Sequence, residues 1–132
     1  MSEQAANRFI EALGRLEAER DLETIVRLFA PDCEVGNVVS PEKFRGREGA
    51  REFWGAKYRD TFGEVRSTFR NVFATETRAA LEWTSEGTAS DGSPIRYEGV
   101  SILETDGELV TRFCAYFDAG RLGRELTGKA HG

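Results

Sequence analysis

The spacing of apolar residues changes period once along this chain, near Gly63, and that switch restricts the folds open to it. Before Gly63 the apolar positions recur at helical spacing; after it they alternate, as in strands with one buried face. Helices first and strands afterwards specify an α+β layer fold, with the helices packed on a sheet. Nothing in the chain repeats, so one domain over residues 1–132 is expected, with its core in about 5–127 and a frayed tail at 128–132.

Within the helical half, Phe9, Ile10, Leu13 and Leu16 mark the inner side of an amphipathic helix between Ala5 and Glu19. Asp21 suits the N-cap of a shorter second helix carrying Leu22, Ile25, Val26, Leu28 and Phe29, which Pro31 stops. Cys33 to Val39 has strand character. The loop Ser40 to Gly46 then leads to a third helix, from Arg47 to about Arg59, which presents Ala50, Phe53, Trp54, Lys57 and Tyr58. In the alternating half, strands are expected over Val65–Thr75, Arg78–Thr88, Ile95–Glu104 and Leu109–Phe117. The Ala89–Pro94 and Thr105–Gly107 segments carry hairpin chemistry, so the neighbours run antiparallel.

Alternation also assigns faces. Leu81 and Trp83 point inward while Glu82, Thr84 and Glu86 share the other face. Tyr97, Gly99, Ser101 and Leu103 form one set on the next strand, and Phe113, Ala115 and Phe117 one set on the last. A β-bulge in that last strand would exchange the latter set for Arg112 and Cys114. Glu82, Glu98, Arg96 and Arg112 fall on the outer face, where cross-strand ion pairs or a contact between subunits account for them better than catalysis.

Composition removes several functions. A net charge of −5, with no basic stripe among aromatics, opposes nucleic-acid binding. No apolar run is long enough for a membrane helix, and the start of the chain lacks the features of a secretory signal, so the cytoplasm is expected. The charge run Glu17-Ala18-Glu19-Arg20-Asp21 reads as a solvated helix face. Cys33 and Cys114 suit reduced, buried roles, and the sole histidine, His131, lies in the tail, which argues against Cys-His catalysis and a zinc site. No metal or other cofactor is expected.

Several short runs occur here in a set order: the helix hairpin, Phe29-Ala30-Pro31-Asp32, a strand, Gly46 to Trp54, Glu82-Trp83-Thr84 and Tyr116-Phe117-Asp118. In that order they resemble the SnoaL-like branch of the nuclear-transport-factor-2-like superfamily, from about Phe9 to Leu126. The resemblance implies a cystatin-like cone in which a strongly bent antiparallel sheet wraps around three N-terminal helices and leaves a pocket at the open end. It also implies pairing of subunits through the outer sheet face. Family members include ketosteroid isomerases, limonene epoxide hydrolases, polyketide cyclases, dehydratases and binding or assembly domains, so fold alone does not assign function.

Residue by residue, the family's chemistry does not carry over. The isomerases' base position falls on Asn37, their tyrosine on Leu13 and their oxyanion acid on Gly99. An amide takes no proton at neutral pH, and Leu and Gly offer no side-chain donor. The epoxide hydrolases' charged central-strand positions fall near Leu81 and Trp83, and their final-strand acid falls on Ala115. No inward carboxylate is evident. As catalytic candidates there remain Asn37, which either holds a carbonyl, hydroxyl or water or fixes its loop, and Asp118, whose place at the strand end suits a turn or cap better.

What the resemblance and the alternation supply together is a wall of Asn37, Phe53, Trp54, Tyr58, Trp83, Tyr97, Ser101, Phe113, Ala115 and Phe117 around a small hydrophobic molecule. The expected protein is therefore a homodimer that binds an aromatic or polycyclic ligand. The alternatives are a cofactor-independent isomerase, dehydratase or cyclase for a polyketide- or terpenoid-like substrate, and an assembly module with a filled cone.

Overall fold

A computed structural model describes residues 2–38, 42–118 and 120. Helix α1 (Ser2–Glu19) ends where Arg20 takes a left-handed φ of 58°, and α2 (Leu22–Val26) begins under a cap in which Asp21 accepts from the Thr24 backbone N–H and hydroxyl. Strand β1 (Phe29–Asn37) follows, then β2 (Phe44–Arg45) and α3 (Gly46–Glu52). The long strands are β3 (Phe62–Ala74), β4 (Arg78–Ala89), β5 (Pro94–Asp106) and β6 (Leu109–Phe117).

These strands form one six-stranded sheet in the order β2-β1-β6-β5-β4-β3. Its pairings are antiparallel except that of β1 with β6, which is parallel. The sheet is bent where its ladders slip: between Arg70 and Phe73 the pairing of β3 with β4 loses register, and Asn71 there adopts a φ of 52°. Inside the bend, Phe9 and Leu16 of α1 and Ile25 and Val26 of α2 join Phe29, Leu81, Leu103 and Val110 of the sheet in one core, all nearly inaccessible to solvent. The fold is thus the α+β arrangement of helices on a bent sheet that the period switch requires. No helix among the described residues is long and apolar enough to cross a membrane.

Three local readings are corrected. The second helix ends at Val26, and Phe29 and Pro31 belong to a strand that starts four residues before Cys33. Proline is tolerated there because the β1–β6 ladder changes register between Phe29 and Glu34, so no regular pairing asks residue 31 for an N–H. The third helix keeps α geometry only to Glu52. It widens into a π-helical turn over Phe53–Tyr58 and tightens into a 3₁₀ turn over Arg59–Thr61. The expected strand end at Val39, the loop residues Ser40 and Pro41, the tail and His131 lie outside the described residues.

The outer sheet face carries the expected ion pairs: Arg70 with Glu82 and Glu98, Arg96 with Glu86, and Arg112 with Glu104, at 3.2–3.4 Å. All are substantially exposed, so each contributes little to stability. Cys33 and Cys114 are both buried and free, and burial pushes the Cys33 thiol above its ordinary pKa.

Candidate functional site

Between the helices and the concave face of the sheet lies a cavity of about 100 Å³. Each strand from β3 to β6 contributes to it by alternation: Ser67 and Phe69, then Trp83 and Ser85, then Tyr97 and Ser101, then Phe113, Ala115 and Phe117. Strand β1 adds Asn37, which stands opposite Ala115 in the parallel ladder. The π turn adds Phe53, Trp54, Lys57 and Tyr58, and α1 adds Phe9 and Leu13. Every side chain that the sequence places against a ligand lies in this one wall. Asp118 does not: it is exposed at the end of β6, outside the lining. The one slip in the β5–β6 ladder falls between Glu104 and Thr105, ahead of Phe113, so the inward set on β6 stays in phase.

The aromatic rings hold one another. Trp54 meets Phe53 edge-on at 4.9 Å, Phe113 at 4.9 Å and Tyr58 at 5.4 Å between centroids, while Trp83 and Phe117 pack on Tyr97 at 5.2 and 5.4 Å. Such rings are fixed in place, which favours a preformed site. Two polar groups in the wall are only partly used. Trp83 donates its indole N–H to Ser101 Oγ at 2.9 Å, leaving the Ser101 proton for another partner. The indole nitrogen of Trp54 is buried and has no acceptor among the described residues.

The largest departure from the sequence reading is Glu17. Far from being solvated, it is 6% exposed, and its carboxylate lies directly behind the cavity wall. Tyr58 donates to Glu17 Oε2 at 2.6 Å; Ser67 donates its hydroxyl to the same oxygen at 2.6 Å and its backbone N–H to Oε1 at 2.9 Å. Three donors on one carboxylate offset much of the cost of burying it. Burial first, and the Glu17 charge second, push the Tyr58 and Tyr97 phenols well above their ordinary pKa, so both stay protonated at neutral pH. Helical spacing held the clue: Glu17 stands one turn after Leu13, on the buried stripe.

A profile of the SnoaL-like domain matches residues 6–113. The chain belongs to the SnoaL-like domain family. No curated protein matches it. Among solved structures it is similar to TerC co-crystallised with polyporic acid, at 21% identity over 96% of this chain and 98% of that one, with a TM-score of 0.80. It is also similar to a putative isomerase from Rhodopseudomonas palustris, at 17% identity, 98% and 100% coverage and a TM-score of 0.81. A third is an epoxide hydrolase of the LEH type from M. tuberculosis, at 18% identity, 94% and 87% coverage and a TM-score of 0.71. At these identities the likeness establishes the nuclear-transport-factor-2-like, ketosteroid-isomerase-like fold and no activity.

Within this SnoaL-like frame the cavity differs from what the isomerases' chemistry needs. Leu13 puts an apolar side chain into the wall. At Gly99 a Cβ would collide with the Tyr116 carbonyl and stand 2.9 Å from Trp83 Cζ2, so the indole occupies the room an acid would need. Asp32 is exposed, and Glu34 pairs with Arg45 at 3.5 Å. The buried carboxylate behind this SnoaL-like cavity is that of Glu17 on α1, which meets the wall through Tyr58 and Ser67.

Proposed function

We propose that this SnoaL-like protein binds a small, flat, mostly apolar molecule in the cone. The observation that carries this reading is a partly open aromatic cavity whose wall includes a buried indole N–H with no acceptor among the described residues. A buried donor of that kind costs about 1–3 kcal/mol unless something accepts from it, and a ligand oxygen would remove that cost. The space, about 100 Å³ and open on one side, is of the order of the roughly 150 Å³ cavity that holds benzene, so a single ring is the ligand size it supports best. A protein of the same fold, TerC, was co-crystallised with a small organic molecule, polyporic acid.

Thermal-shift screening of single-ring compounds tests the reading. A binder present at 100 times its Kd is expected to stabilise the native state by about 2.7 kcal/mol, and Asn37→Ala and Trp54→Phe are expected to reduce that gain. If no ring compound raises Tm, the cavity is not a binding site.

One observation supports a second reading, an acid–base isomerase. Glu17 can store a proton: as Tyr58 Oη takes one from a bound carbon acid, the Tyr58 proton passes to Glu17, and the reverse transfer delivers it to another carbon. Incubation of cyclohexanone or cyclohexane-1,3-dione with the protein in deuterium oxide, followed by proton NMR, should then show accelerated exchange of the α-hydrogens. Exchange at the buffer rate with these ketones would exclude this activity toward them.

A further inference from the structure

Glu17 anchors the hydroxyls on one side of the wall. Tyr58 and the Ser67 hydroxyl both give their protons to Glu17. Ser67 Oγ lies 2.6 Å from Ser85 Oγ. Because the Ser67 proton is committed to the carboxylate, the proton between the two serines belongs to Ser85. Every O–H of this set points toward Glu17, so the Tyr58 phenol keeps no proton for the cavity. It keeps a lone pair.

We infer that Glu17 makes the polar end of the cavity an acceptor site, which selects single-ring compounds bearing a hydrogen-bond donor, such as a phenol or an N–H heteroaromatic. At the Tyr58 end, rings of equal size with only acceptor atoms, or with none, bind more weakly, while an acceptor atom on the same ring still serves the Trp54 N–H. A hydroxyl whose own proton goes to a carboxylate is polarised and becomes a better acceptor, which sharpens the preference. Anionic ligands are disfavoured, because the Glu17 charge lies one residue behind the wall. Glu17 is a positioning residue here: it acts through Tyr58. The inference rests on the cavity being a small-molecule site and names the class of molecule.

Two isosteric pairs test it, phenol against toluene and pyrrole against furan, each titrated calorimetrically into the intact protein. Wild type is expected to favour the donor of each pair by about tenfold, the value of one hydrogen bond. In Glu17→Gln the new amide can donate to Tyr58 and turn its proton toward the cavity, so the preference should fall below about threefold while toluene binding stays constant. Tyr58→Phe removes the acceptor oxygen itself and keeps the ring in the wall, so it should bring the preference close to one, which keeps the test decisive if the Glu17 variant does not fold. Equal binding within each pair by wild type, or an unchanged ratio in both variants, overturns the inference and leaves the binding site standing. If none of the four rings binds wild type, the site itself is refuted and the inference with it.

Discussion

Glu17→Ala is expected to destabilise the protein by about 3 kcal/mol, whereas Glu19→Ala, two residues along the same helix, should change stability by less than about 0.5 kcal/mol. The two glutamates are alike in sequence context and opposite in environment. Glu19 is exposed at the end of α1, while Glu17 accepts from the Tyr58 hydroxyl, the Ser67 hydroxyl and the Ser67 backbone. Removing the carboxylate strands three donors at once. Water reaching the gap through the partly exposed side of α1 would recover some of that loss, which is why the figure stays near that of one or two unpaired groups. Urea denaturation of the two variants beside wild type, at a common m-value, measures the difference. Equal midpoints for the two would mean that Glu17 is solvated after all.

Trp54→Ala should cost about 4 kcal/mol, a large share of the stability of a domain this size. Its ring stands 4.9–6.5 Å from those of Phe9, Phe29, Phe53, Tyr58 and Phe113, so α1, β1, the π turn and β6 all lean on one side chain. Because those neighbours are themselves interlocked, the space left by the indole cannot collapse fully, and the cavity term adds to the lost burial. Phe73→Ala is the natural comparison: that ring is 69% exposed on the outer face and its loss should be nearly neutral. A guanidinium chloride midpoint for Trp54→Ala close to that of Phe73→Ala would contradict the packing described for the wall.

How far these features are legible in the sequence depends on the range of the interactions behind them. Strand β6 is read off to the residue, since turn chemistry before Leu109 and alternation up to Phe117 are both local. The inward sets on β4, β5 and β6 follow from the same alternation. Pro31 misleads because a helix-stopping residue also fits a strand where the ladder is interrupted, and only the distant β6 interrupts it. The π turn is invisible because Phe53, Trp54, Lys57 and Tyr58 share a face in an α-helix as well. Glu17 is the costliest misreading: its partners lie 41 and 50 residues ahead, and the flanking charges give the run a solvated look.

The parallel β1–β6 ladder has a consequence for how the molecule is made. Among the described residues strand β1 has, apart from the two-residue β2, no neighbour but β6, about 80 positions later, so it cannot enter the sheet until nearly the whole domain has left the ribosome. Asn37 meets Ala115 only at that step. The β3–β6 meander can pair as it emerges, hairpin by hairpin, but the side of the cavity that holds Asn37 is shut by the longest-range strand pairing in the sheet.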